Sequence, residues 1–163
     1  MRFLFALCFC LYSATSLADW KYQKSKDEMV GAIYSASTNS KNTLNFSFPY
    51  QGAQPTTLEL RDHPRWGVSV ILSVRRGQFN FSDDEDCGVL IKFDDDVNTW
   101  SCRLPMDGSH DTIFLGRKFE FISDAKKSKR LFIEASFYSE GTRVIEFDVS
   151  KLKWPLVERE LEF

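Results

Sequence analysis

Histidine is scarce in this chain: His63 and His110 are the only two among 163 residues. Hydrolysis of the Ser-His-Asp kind would have to use one of them. Both fall in predicted loops beside carboxylates, His63 after Asp62 and His110 near Asp107 and Asp111. No Gly-x-Ser-x-Gly elbow is present, so a solvated polar loop is the plainer reading of each. Cysteine is nearly as sparse, at four, and Cys87 and Cys102 lie too far apart for a Cys-x-x-Cys redox motif. Glycine (8) and proline (5) are modest, and no linker, low-complexity or repeated segment divides the chain, which argues for one domain. There is no long helical period and no alternation of strands with helices, which argues against a parallel α/β fold. Neither sign of charge dominates: 21 Lys and Arg stand against 23 Asp and Glu, without the basic excess that nucleic acid demands.

What is present begins with an amino-terminal segment unlike the rest. Arg2 precedes an uncharged apolar run from Phe3 to Tyr12, and small residues at Ser16 and Ala18 stand three and one places before Asp19. That is the pattern of a signal peptide over residues 1–18, cut before Asp19, with 19–163 as the mature domain. The apolar run is too short for a permanent span, so no stable membrane segment is expected after cleavage. Cleavage removes Cys8, Cys10 and Arg2, leaving 20 cations against 23 acids and a formal charge of −3. The two remaining cysteines, Cys87 and Cys102, are then expected to form a disulfide, as an even pair in an exported protein does. In the chain-entropy description such a loop contributes about 3 kcal/mol.

Alternation of apolar and polar residues fills the mature region. Leu44, Phe46 and Phe48 share a face, as do Leu58 with Leu60, and Val68, Val70, Leu72 and Val74. Phe79 and Phe81 resume the pattern before a stapled pair of strands, in which Val89, Ile91 and Phe93 oppose Trp100, Cys102 and Leu104. Thr112–Leu115 reads as a short strand that Phe119–Ile122 extends or follows. Ser123–Arg130 is the one candidate helical turn, capped by Ser123 or Asp124. Leu131, Ile133, Ala135 and Phe137 alternate up to a turn at Gly141, and Ile145, Phe147 and Val149 complete the last strand. With 15 phenylalanines and 43% hydrophobic residues, the expectation is an all-β, antiparallel β-sandwich of about eight to ten short strands with at most one short helix.

Charge clusters supply the remaining candidates. Asp83–Asp86 and Asp94–Asp96 hold enough oxygen for calcium, but their spacing lacks the alternating ligands of an EF-hand, so solvated turns are the expectation and no metal or cofactor is assigned. Arg117, Lys118, Lys126, Lys127, Lys129 and Arg130 fall within a short basic stretch that suits an anionic surface or an acidic partner. The loop from Asp62 to Gly67, which carries His63 and Trp66, and the stapled turn from Asp94 to Asn98 are the candidate projecting loops. Trp66, Tyr138 and Trp154 are the aromatics from which an exposed binding patch would be drawn.

The segments DEMVGAIYSASTNS, LELRDHPRWGVSVILSVRRGQF, CGVLIKFDDD and FEFISDAKKSKRLFIEASFYSEGTRVIEFDVSKLKW resemble a recurring class of small exported proteins of Gram-negative bacteria. More distantly, the chain is similar to a periplasmic accessory family of type VI secretion, through its opening Trp, a LxxR-type strand, an FD-type turn and a closing FxxxxL strand. The second resemblance implies a periplasmic accessory role and brings no active-site residues. The reading that results is a periplasmic or secreted binding protein without catalytic activity. Its expected partner is a protein of the cell envelope, and the candidate contacts are His63, Trp66, Lys126, Lys127, Lys129 and Arg130. The competing readings are a hydrolase using His63 or His110, and an inhibitor of a foreign lysozyme or protease.

Overall fold

A computed structural model describes residues 20–81 and 87–154. The predicted signal peptide and the acidic run Asp83–Asp86 lie outside the described residues. Eleven strands and one helix follow in order: β1 (Lys21–Asp27), β2 (Gly31–Asn39), β3 (Leu44–Phe46), β4 (Gly52–Gln54), β5 (Thr56–His63), β6 (Gly67–Val74), β7 (Cys87–Phe93), β8 (Asp96–Arg103), β9 (Thr112–Leu115), α1 (Lys118–Lys127), β10 (Arg130–Phe137) and β11 (Gly141–Asp148). Nine of the strands form a single antiparallel sheet in the order β1-β2-β5-β6-β9-β8-β7-β10-β11, and β3 pairs with β4. The fold is therefore all-β with one short helix, as the alternation predicts.

The sheet curls so that the loop after β2 meets its far edge. Residues just after β2 reach the far edge strand β11: the Lys41 N–H donates to the Glu146 carbonyl at 2.7 Å. The Asn42 side chain donates to the Val144 carbonyl at 2.8 Å and accepts from the Glu146 N–H at 2.8 Å. One asparagine amide thus serves as a short length of extra strand on an edge that would otherwise present unpaired groups. The two layers of the expected sandwich are two halves of this one curled sheet. Leu58, Leu60, Val70 and Leu72 come from one half and Ile91, Ile133, Ile145 and Phe147 from the other; all are fully buried in a single core.

Each open end of the curl is closed by aromatics. At one end α1 inserts Phe121 edge-on against Phe93 (5.1 Å between ring centroids) and Trp100 (5.8 Å). At the other, Phe46 of β3 and Phe79 pack on Phe137 at 5.1 and 4.8 Å. Cys87 and Cys102 face each other directly across the β7–β8 ladder and are bonded, with Cα atoms 4.8 Å apart. The predicted disulfide is present.

Four local expectations are corrected. Phe119–Ile122 is helix, since α1 starts at Lys118 and is preceded by Arg117 in the left-handed region (φ 45°), with neither Ser123 nor Asp124 at the cap. The spacing of Phe121, Ile122 and Ala125, all buried, suits one face of a helix, and packing on Trp100 outweighs the strand preference of phenylalanine. Phe48 lies past the end of β3 and is exposed, unlike Leu44 and Phe46. Phe79 makes only an isolated bridge to Phe137, with no regular strand around it. Trp154, an expected surface aromatic, is buried: the chain after β11 turns back over β1, where the Lys153 N–H donates to the Tyr22 hydroxyl at 2.8 Å.

Candidate binding groove

The loop between β5 and β6 is a short, internally braced turn. Pro64 occupies its second position, where a fixed φ costs nothing, and the Trp66 N–H closes it on the His63 carbonyl at 3.2 Å. Gly67 leaves it at φ +68°, a conformation that favours glycine. His63 is buried, and its Nδ1 accepts from the Arg65 N–H at 3.1 Å. The imidazole stacks on the indole of Trp66, with centroids 3.9 Å apart and planes 21° from parallel. Trp66 is nonetheless 66% exposed. A large ring is therefore held in the solvent by the backbone turn and by the histidine behind it.

Opposite this turn stands the junction of β9 and α1. Gly116 packs so closely on Ser101 that a side chain there would strike the Ser101 hydroxyl, and its N–H donates to the Ser101 carbonyl at 2.8 Å. Arg117 then lays its guanidinium 3.9 Å from the centre of the Trp100 ring, donates to the Thr99 carbonyl at 2.9 Å and pairs with Glu120 at 3.2 Å. Lys118 places its ammonium 4.9 Å from the Phe119 ring centre. Arg103 lies over Phe114, its direct partner across the β8–β9 ladder, at 4.7 Å. Arg103, Phe114 and residues 116–120 border a groove of about 560 Å³ together with Trp66 of the turn and Ser69 of β6. This volume is within the range of ligand clefts.

The groove is cationic in a chain that is acidic overall. Arg103, Arg117 and Lys118 line it with Glu120 as the one carboxylate. Among the described residues Arg117 pairs with Glu120 and Arg143 with Glu140, while Arg103 and Lys118 join neither pair. Arg61, the register partner of Ser69, lies on the same sheet face, and its Nε is buried without a protein acceptor.

Of the residues singled out from sequence, Trp66 is in the groove and His63 supports it from behind. Lys126, Lys127, Lys129 and Arg130 are exposed at the other end of α1 and the start of β10, away from the groove. There the Asp94 carboxylate accepts from the Lys129 and Arg130 N–H groups at 3.1 and 2.9 Å, which gives one residue of the acidic run a structural use. The basic stretch is thus divided: Arg117 and Lys118 join Trp66, and the other four cations do not. Arg103, Phe114 and Phe119 escaped the sequence reading because a sheet register and a helix start, rather than spacing along the chain, bring them together.

His110 lines a separate depression of about 440 Å³ with Ser109, Asp111, Arg75 and Arg76. Nearby, Asp107 accepts from the Ser109 N–H at 3.0 Å, and hydrogen bonds from the Ser109 backbone and hydroxyl hold its carboxyl below the usual aspartate value. Among the described residues neither histidine side chain is hydrogen-bonded to a hydroxyl or carboxylate, and no three His, Cys, Asp or Glu side chains are grouped to hold a metal. No helix among them is long and apolar enough to cross a membrane. On the outer face of β7, β8, β10 and β11, Leu90, Val97, Phe132 and Val144 border a smaller hollow of about 270 Å³ with Lys92 and Glu134.

No protein-family model, curated protein or solved structure matches the chain. The functional reading therefore rests on the groove.

Proposed function

We propose that this chain is an exported protein of the cell envelope that works by binding another protein, and that the groove beside Trp66 is where it does so. One observation carries the reading: an exposed indole is fixed in place by a buried histidine, at the mouth of a groove bordered by arginines and a second exposed ring. Tryptophan and arginine dominate the energetics of protein interfaces, since each offers large contact area and little loss of rotamer freedom when already held. The leader-like first 18 residues and the Cys87–Cys102 bond support the envelope as its place.

A braced turn projecting one ring also suits the inhibitor reading, in which Trp66 would enter the cleft of a foreign lysozyme or protease. Both readings place the energy at the same residue. Trp66→Ala should leave the fold intact, because the side chain is largely in solvent, while partner capture by crosslinking from envelope extracts falls at least roughly tenfold. Capture unchanged by Trp66→Ala in a folded protein would refute the groove as the binding face.

A further inference from the structure

The walls of the groove carry information about what enters it. Arg103 and Lys118 have no carboxylate partner among the described residues, yet both are held against rings, on Phe114 and Phe119. A guanidinium lying over an aromatic face keeps its N–H edge available for a carboxylate, and its orientation is set before the ligand arrives. Arg61, whose Nε lacks a protein acceptor, extends this character along the same face. The rings of Trp66 and Phe119 both line the groove and are both exposed. Such a groove is suited to a ligand that presents carboxylates and an apolar side chain close together.

We infer that the groove takes an acidic segment of a protein chain, with carboxylates on Arg103 and Lys118 and an apolar or aromatic side chain between Trp66 and Phe119. This rests on the binding function proposed above and names the chemistry of the partner. An anionic bilayer would meet the same cations, but the mature chain, without Arg2, carries a formal charge of −3, so a broad negative surface is repelled by the rest of the protein. A single segment feels only the local field of the groove. The cations at the far end of α1 stand apart from the aromatic walls and add nothing to such a segment.

The direct test is fluorescence polarisation of the purified protein with short labelled peptides of alternating glutamate and phenylalanine. A glutamine counterpart and vesicles of phosphatidylglycerol serve as comparison probes. The expected result is saturable binding of the glutamate peptide, weaker binding of the glutamine peptide, and loss of affinity as salt rises. The double variant Arg103→Glu/Lys118→Glu should reduce affinity by roughly tenfold or more, and near-ultraviolet circular dichroism should show that its tryptophan environment is retained. If that variant does not fold, Arg103→Gln and Lys118→Gln singly replace it and should each weaken binding. Equal binding of both peptides, binding indifferent to these substitutions, or no peptide binding would overturn the inference. Vesicle binding through the same cations without peptide binding would overturn it in favour of a lipid ligand. The two proposals fail separately: partner capture lost in Trp66→Ala but kept in the charge variants retains the binding groove and removes the acidic ligand.

Discussion

Trp100 shows how a single side chain links the core to the groove. It is almost fully buried, meets Phe93 and Phe121 edge-on, and receives the Arg117 guanidinium on its face. Its own N–H is buried without a protein acceptor, so the indole contributes through area and ring electrostatics rather than a hydrogen bond. Trp100→Ala should therefore cost about 3–5 kcal/mol, while Trp100→Phe, which keeps a ring under Arg117 and deletes an unpaired donor, should cost under about 1.5 kcal/mol. Urea unfolding of both variants measures the difference; equal losses would show that the indole N–H or its size matters more than the ring face. Trp66 follows the opposite logic, since its value is in exposure. Its neighbours in sequence disclosed this in part: Pro64 and Gly67 mark a turn, and a tryptophan in a turn has nowhere to bury. The stack on His63 left no trace in sequence, because a histidine at the last position of a strand reads as a loop residue.

Among the elements, the alternating strands were the most legible. β7, β10 and β11 bury Val89, Ile91, Phe93, Leu131, Ile133, Ala135, Phe137, Ile145 and Phe147 as their period of two demands. The start of α1 was not legible, because Phe119 and Phe121 alternate like a strand, and only the tertiary contact of Phe121 with Trp100 selects the helix. That misread hid the groove's second exposed ring. Closure of the sheet was equally hidden, since it depends on one amide at Asn42 reaching residues about a hundred positions away. Replacing that amide removes a donor and an acceptor from β11 together. Asn42→Ala should lower stability by about 1–3 kcal/mol, read as a lower urea midpoint with an unchanged slope, and should promote self-association through the uncovered edge, read by sedimentation. An unchanged midpoint would mean that Lys41 and the core hold the edge alone.

At the scale of the whole molecule, the architecture sets two candidate surfaces apart. One is the cationic groove between the β5–β6 turn and α1; another is the apolar hollow of Leu90, Val97, Phe132 and Val144 on the outer sheet. A curled sheet with both ends plugged leaves little freedom for its interior to rearrange, so the candidate sites are features mounted on its rim and faces. The sequence carried the fold class and the disulfide, and marked the turn on which Trp66 is exposed. It could not carry the grouping of Arg103, Phe114, Arg117 and Lys118, which arises where β8, β9 and α1 converge.

The most direct test of the account is to place a photo-crosslinking amino acid at Phe119 in one variant and at Phe132 in another, and to irradiate the cells that make them. The account expects a discrete protein adduct from position 119, abolished by Trp66→Ala, and none from position 132. An adduct from position 132 alone would contradict it, and would move the binding face to the outer sheet.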